Sequence, residues 1–486
     1  MSEQSLKNKT IKGTMWSAVE NVTRFGVTFV VSIILARLLS PEEYGLIGIL
    51  TIFIALFNAI VDSGFTNALI RKQDATDADY STVFYINLVL SLFLATILFL
   101  CARPIAVFFE RPELVALTKV MSSVVVINAL AIVQRARTTK AIDFKTQTKI
   151  TFISSIGSGV IGIAMAYMGY GVWALVGQQI SNQLLSTIFF WIYNRWFPKL
   201  IFSWASFKEM WAFGSKLLVS RLLDTAWNEG YQVVIGKCYS PVTLGLFTRA
   251  KHFADLCSSN LTSVVQRVSY PVLSSIQDDR ERLKSAYQRV IKTTMLPTFV
   301  LMLGMATCAE SMIQVLIGDQ WLGCVPMLQI ICTYGMLYPL HALNLNMLQV
   351  QGRSDLFLKL EIIKKIINIG PLLLGIFVDI YLMLAASLIT SLMAYYLNAY
   401  YSGPFLNYSI KEQVKDILPS FGVAMAMAVP VFAMSFIPIS PFVMLPLQII
   451  VGAIITISIC EATKFPEYVE LKGIVMPLIN KVIKRK

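Results

Sequence analysis

Four stretches of this chain set ionisable side chains inside sequence that is otherwise apolar. Glu20 and Arg24 stand i and i+4 apart, on one helical face with Ser17 and Thr28. Lys216, Arg221, Asp224 and Glu229 fall in a second stretch. A third holds Arg249, Lys251, His252 and Asp255, continued on the His252 face by Ser259, Ser263 and Gln266. The fourth carries Glu361, Lys364, Lys365 and Asn368. An Arg or Lys at the centre of a membrane helix costs about 2.5–3.5 kcal/mol on insertion scales, so such a group marks an ion pair or a wet cavity. Glu20–Arg24, Arg221–Asp224 and Glu361–Lys365 have the spacing to neutralise one another. Arg249 and Lys251 have just Asp255 near them in sequence, which leaves positive charge in surplus. A cavity rich in cations suits an anionic ligand, and Arg suits bidentate contact with phosphate.

Other chemistries are thinly supplied. The chain has two histidines and seven scattered cysteines, several of them within apolar runs. The expected role of these cysteines is that of small buried hydrophobes, not of a metal site or a disulfide framework.

The elements that position the charges follow from composition. Of 486 residues, 56% are hydrophobic and 14% charged, against about 25% charged in soluble domains. Residues 81–102, 150–194, 321–352, 380–410 and 417–460 contain no Asp, Glu, Lys or Arg. About 18 or more apolar residues span a bilayer as a helix, and the second and fifth runs are long enough for two spans each. Turns divide both, at Met168-Gly169-Tyr170-Gly171 and at Pro438-Ile439-Ser440-Pro441. The chain therefore reads as an all-α polytopic membrane protein. No small-residue cleavage site follows a short apolar core near the N-terminus, so no cleaved leader is expected.

A repeat sets the span count. Ser40-Pro41-Glu42-Glu43-Tyr44-Gly45-Leu46 returns 200 residues later as Ser240-Pro241-Val242-Thr243-Leu244-Gly245-Leu246. Leu69 with Gln73-Asp74 returns at an offset of 204 as Leu273 with Gln277-Asp278. The period is too long for a solenoid and reads as a duplicated half. Spans are expected at 14–38, 43–64, 81–103, 115–134, 148–168 and 171–194, then at 208–235, 243–270, 287–310, 324–348, 356–378 and 380–401, and finally at 417–436 and 441–460. That makes about fourteen helices: an N-terminal lobe over 1–200, a C-terminal lobe over 201–404, and two further helices with a basic tail over 405–486. Spans seven and eight are too polar for a hydropathy window; the repeat supplies them. Six spans per half is an even number, so the two lobes run parallel. In the repeated motif Pro breaks the chain and Gly allows a tight start to the next helix.

Charge placement gives an orientation. With the N-terminus cytoplasmic, most Lys and Arg fall on inner connections, among them Arg71, Lys72, Arg135, Arg137 and Lys140, and the outer side keeps little beyond Arg37, Arg103, Arg111, Lys119 and Lys237. This bias accounts for most of the +13 net charge, which is attributed to topology and to anionic membrane lipids, not to nucleic acid. Trp16, Trp173, Trp191, Trp196, Trp204, Trp211 and Trp321 lie near expected span ends, where an aromatic belt places them. No connection offers the large external loop on which an envelope ligase or polymerase would hold a donor and a base.

Several segments also resemble a known family. LARLLSPEEYGL (Leu35–Leu46), DSGFTNALIRK (Asp62–Lys72), GYGVWALV (Gly169–Val176), FGSKLL (Phe213–Leu218) and GRSDL (Gly352–Leu356) resemble the bacterial polysaccharide transporters, or Wzx-like flippases, most closely the colanic-acid-exporter type. The resemblance runs through nearly the whole chain, with motifs in order in both halves. It implies the fold of the multidrug/oligosaccharidyl-lipid/polysaccharide exporter superfamily, two six-helix lobes working by alternating access. It also implies a multi-pass protein of the bacterial inner membrane with both termini cytoplasmic. The implied substrate is an undecaprenyl-diphosphate-linked oligosaccharide repeat unit, moved outward for capsule, exopolysaccharide or O-antigen, with a polysaccharide polymerase and other assembly proteins as partners.

Such flippases use cations of the first and eighth helices, which match Arg24 and, less directly, Arg249 and Lys251 here. Arg221 and Lys364 complete the expected cationic set. Related lipid II flippases hold the lipid tail along helices thirteen and fourteen, here the uncharged residues 417–460. No cofactor is implied beyond coupling to Na⁺ or H⁺, for which Glu20, Asp62, Asp224, Glu229 and Asp255 are equal candidates for binding or for pairing. The competing readings are a drug/cation antiporter of the same superfamily, which would set unpaired carboxylates in its cavity, an oligosaccharide ligase or polymerase, and a scaffold.

Overall fold

The structure, a computed structural model, describes residues 26–483 apart from 63, 73 and 142. By its contacts the chain separates into two compact units, residues 1–245 and 246–486. All regular structure among the described residues is helical.

The first unit contains α1 (Gly26–Leu38), α2 (Pro41–Asp62), α3 (Phe65–Arg71), α4 (Asp77–Leu100), α5 (Ala102–Phe108), α6 (Leu114–Lys140), α7 (Phe144–Tyr167), α8 (Val172–Asn194) and α9 (Trp204–Cys238). Next, α10 (Pro241–Ser275) carries the chain into the second unit, which continues with α11 (Arg280–Thr307), α12 (Ala309–Leu316), a 3₁₀ turn at Asp319–Cys324, α13 (Val325–Gly335) and α14 (Tyr338–Val350). It closes with α15 (Ser354–Ile367), α16 (Ile369–Phe377), α17 (Ile380–Leu406), α18 (Ile410–Met434), α19 (Pro441–Ala462) and α20 (Pro466–Ile483). Nine helical stretches among the described residues are long and apolar enough to cross a membrane. The helix α9 packs on α2, α3 and α4 and so sides with the first unit, although the repeat makes it the first helix of the second half.

Helix starts follow local chemistry. Ser40 accepts from the Glu43 backbone N–H at 3.4 Å and the Glu43 carboxylate accepts from the Ser40 backbone N–H at 2.6 Å, a capping box at the start of α2. In the repeat copy Ser240 Oγ accepts from the Thr243 N–H at 3.2 Å. Thr76–Asp79 and Ser409–Glu412 build the same reciprocal cap on α4 and α18. The motif glycine has a different task from the one expected. It takes no left-handed conformation; it permits contact between two helix starts. A Cβ on Gly45 would lie 1.8 Å from the Pro241 carbonyl oxygen, and one on Gly245 would lie 1.9 Å from that of Pro41. The two copies of the motif are therefore pressed backbone to backbone.

Three further expectations change. The span expected at 324–348 falls within one apolar stretch, Asp319–Val350, that is broken into α13 and α14, and the one at 356–378 is divided at Asn368 into α15 and α16. The basic tail folds as α20, whose Tyr468 and Leu471, with Phe465 just before it, pack on Leu296, Val423 and Cys460. Trp321 is fully buried and Trp196 nearly so, while Trp204 and Trp211 are exposed in the manner of a belt. Trp196 belongs instead to the first unit's core with Phe65, Leu69, Phe84 and Val133. The second unit's core is built on Tyr287, Ile291, Phe299, Leu343, Met347 and Tyr408.

Candidate functional site

Polar groups in a membrane are informative where their helix is hidden from lipid. Beyond Glu42, no described residue of α2 is exposed, and none of α10 is exposed between residues 243 and 266. By contrast α4 exposes Val89, Leu92, Phe93, Phe99 and Leu100, a side suited to hydrocarbon. The two helices that begin at the repeated motif are thus the shielded ones, and the candidate residues of the second and third charged stretches lie on α10 or opposite α2.

In the first unit Arg221 of α9 pairs with Asp62 at the end of α2. Asp62 also accepts from Thr66 Oγ1 at 2.5 Å, across the left-handed Gly64 (φ 70°) that starts α3. Sequence spacing offered Asp224 as the partner of Arg221; the carboxylate it meets is 159 residues away. Asp224 is exposed, and Glu229 accepts from Gln232. Asp62 lies 21 residues after Pro41, about 32 Å along the axis at 1.5 Å per residue, so the pair sits close to the far boundary of a hydrocarbon layer about 30 Å thick. Just beyond, Lys72 Nζ lies 2.8 Å from Glu209 and 3.0 Å from the buried Asp79. These carboxylates, Glu209 first, hold the Lys72 ammonium above its ordinary range. Lys72 is a tie between α9 and α4, not a ligand group.

In the second unit the cations of α10 divide by environment. Arg249 is buried, with its guanidinium 5.5 Å from the centre of the Trp321 ring, a cation–π contact. This contact takes Trp321 out of the aromatic belt. Lys251 is half-buried and makes no salt bridge among the described residues, while Asp255, one turn on, acts on it electrostatically and accepts from Ser259 at 3.4 Å. Lys251 and Asp255 lie about 15 and 21 Å along α10 from Pro241 at 1.5 Å per residue, in the first half of a 35-residue helix. On α15 Lys364 Nζ meets Glu361 at 2.5 Å; the i+3 neighbour, not Lys365 at i+4, faces this carboxylate. Lys364 also acts electrostatically on His341 of α14, and both Asp255 and Glu361 act on Tyr338. Asp255 and Glu361 thus both act on α14 at Tyr338, and Lys364 acts on it at His341. Arg221 with Asp62 is a separate site in the other unit. Glu20 and Arg24 lie outside the described residues.

Sequence reasoning passed over the uncharged polar residues. In the second unit His341 Nε2 lies 3.0 Å from Ser391 Oγ, and Asn344 accepts from Ser402 at 2.6 Å and from Gln413 at 3.3 Å. In the first unit Asn58, Asn128 and Gln183 hydrogen-bond in series. The available signal was the run Gln178-Gln179-Ile180-Ser181-Asn182-Gln183 inside a charge-free span, which a count of charges cannot register. An apolar groove of about 660 Å³, lined by Ile367, Pro371, Leu374, Phe377, Ile389 and Met393, runs along α16 and α17.

Comparison with known proteins now bears on this arrangement. The profile of the family described as polysaccharide biosynthesis protein matches residues 34–326. The chain belongs to this family. Among its relatives, the teichuronic acid biosynthesis protein TuaB of Bacillus subtilis is 24% identical over 355 residues, 72% of this chain and 73% of that protein. The succinoglycan biosynthesis transport protein ExoT of Rhizobium meliloti is 27% identical over 325 residues, 67% of this chain and 66% of that one. The lipopolysaccharide biosynthesis protein WzxC of Escherichia coli K12 is 24% identical over 377 residues, 76% of each chain. Among solved structures, the lipid II flippase MurJ in an inward closed conformation superposes with a TM-score of 0.74 at 14% identity, covering 94% of this chain and all of that one. An inward-facing multidrug resistance MATE family transporter gives 0.60 at 15% identity, covering 80% and 99%. At these identities the likeness speaks for the fold. This member of the polysaccharide biosynthesis family is an all-α, multi-pass membrane protein with the fold of transporters rather than of an enzyme.

Proposed function

We propose that this chain is a flippase that moves undecaprenyl-diphosphate-linked oligosaccharide repeat units across the bacterial inner membrane by alternating access, for capsule, exopolysaccharide or O-antigen synthesis. The observation that carries the reading is Lys251: a half-buried cation without a salt bridge among the described residues, about 15 Å along α10 from its start, in a stretch of that helix with no exposed described residue. Such a group is costly unless an anion arrives to meet it. A diphosphate headgroup supplies that anion. Arg221 and Lys364, each already held by a carboxylate, exchange that partner for phosphate in turn, and Arg249 on Trp321 reinforces the positive field. Arg24 is assigned to the same set by its match to the family motif.

The names of relatives agree with this reading, since TuaB, ExoT and WzxC are biosynthesis or transport proteins of surface polysaccharides and MurJ is titled a lipid II flippase. With both termini cytoplasmic, outward movement of a headgroup bearing about two negative charges is favoured by the inside-negative potential, about 2.3 kcal/mol per charge per 100 mV. The prenyl tail stays in lipid, the released unit passes to the polymerase, and coupling to Na⁺ or H⁺ is assigned to the carboxylate set, with Asp62 and Asp255 best placed beside cations.

The test is export in a strain whose own gene is deleted. Lys251→Ala is expected to lower surface polysaccharide at least tenfold with the protein still present in the membrane, and Lys251→Arg to restore part of it. Unchanged export by Lys251→Ala would overturn the assignment.

A further inference from the structure

A second polar assembly crosses the first unit without any charge. Asn128 of α6 donates from Nδ2 to Asn58 Oδ1 of α2 at 3.0 Å, and Gln183 of α8 donates from Nε2 to Asn128 Oδ1 at 3.0 Å. All three side chains are half-buried. Gln179 stands one turn before Gln183 on the same row of α8 and is also half-buried. Asn58 Nδ2, Gln183 Oε1 and the whole Gln179 amide have no hydrogen-bond partner among the described residues. The ladder thus ends open, with a donor at one end and an acceptor at the other.

Its surroundings say what the open ends face. Asn58 stands on α2, which shows no exposed residue beyond Glu42. On α8 the lipid side is the row Leu184, Ile188 and Ile192, exposed by 43, 43 and 56%. Gln179, Gln183 and Thr187 form the adjacent row, turned about 100° away, and Thr187 Oγ1 donates to the Ile127 carbonyl of α6 at 3.1 Å. The amides therefore look inward. Spare donors and acceptors against hydrocarbon are unfavourable, so inward-facing, incompletely buried ones require water or a polar ligand.

We propose that Asn58, Asn128, Gln183 and Gln179 form a carbohydrate subsite that hydrogen-bonds the hydroxyl groups of the transported lipid's glycan. A primary amide both donates and accepts, as a sugar hydroxyl does, and being neutral it binds without having to shed a counter-ion. A diphosphate is poorly matched here, because acceptor oxygens without a cation repel it. This assignment rests on the flippase reading and adds to it a subsite for the glycan within the first unit.

The test uses the full chain in nanodiscs with two probes, undecaprenyl diphosphate and the same lipid carrying a neutral trisaccharide, and reads affinity by quenching of tryptophan fluorescence. Wild type is expected to bind the glycosylated probe about tenfold more tightly. Asn128→Leu and Gln183→Met, which keep shape, should lose that preference and bind the bare lipid as wild type does. Gln179→Met is the control for folding, since it breaks no hydrogen bond of the ladder, and it should lower the preference about threefold. Retained preference in all three variants overturns the subsite. So does an equal loss for both probes together with a lowered melting temperature, the signature of a ladder that merely joins helices. Wild type binding both probes alike would sink the subsite and leave the flippase reading standing; binding neither would sink both.

Discussion

Two helices of this chain, α2 and α10, start with the same motif and are then lined by different chemistry. Along α2 and its neighbours α6 and α8 the membrane-depth polar groups are amides in series, Asn58, Asn128 and Gln183. Along α10 charges, Arg249, Lys251 and Asp255, stand on one helix with uncharged groups such as Gln266, which donates to Asn346 of α14 at 3.5 Å. The Arg221–Asp62 ion pair of the first unit sits at the far end of α2. On the two proposals above, the amides meet sugar hydroxyls and the Lys251 ammonium meets phosphate.

The comparison breaks or sharpens at defined positions. The largest effect is expected where the two starts touch. Gly45→Val adds side-chain atoms where the Pro241 carbonyl already stands, and since backbone cannot give way as a side chain can, the loss should reach or exceed the roughly 1–3 kcal/mol usual for overpacking, read as a fall in melting temperature of the solubilised protein. Next comes Arg24→Ala, for which export is expected to vanish while Arg24→Lys keeps part of it; full export by Arg24→Ala would mean that phosphate is handled by the second unit alone. Asn344→Leu removes the partner of Ser402 and Gln413. Membrane hydrogen bonds average about 0.6 kcal/mol and reach about 1.7, so a stability loss of roughly 1–2 kcal/mol for the three bonds with Ser402 and Gln413 is expected, with export retained. The smallest change is for Arg221→Ala. Its side chain is more than half exposed, and exposed pairs contribute about 0–1 kcal/mol. A double-mutant cycle with Asp62→Asn should show coupling within that range while export falls; strong coupling with unchanged export would recast the pair as purely structural.

Much of the fold was legible because its signals are local. Ser40, Thr76, Ser203 and Ser409 cap the helices that follow them, and repeat alignment found α10 where hydropathy fails. The site was legible by residue type and not by partner. Periodicity offers neighbours at i+3 and i+4, so it brought Asp224 to Arg221 and Lys365 to Glu361; the fold chose Asp62, far off in sequence, and Lys364. Nothing in the neighbourhood of Arg249 announces Trp321. The amide ladder escaped for another reason: Asn and Gln barely dent a mean hydropathy, yet in hydrocarbon each open amide group is a demand for a partner.

The crossed contact at Gly45 and Gly245 has a bearing on how this chain can vary. Each glycine is held small by the other copy's main chain, which no mutation can trim. A larger residue at either position cannot be rescued by a smaller one opposite, because the obstacle is a carbonyl and not a side chain. The two motifs are therefore bound to drift together or not at all, and their likeness 200 residues apart is maintained by present contact as much as by common descent.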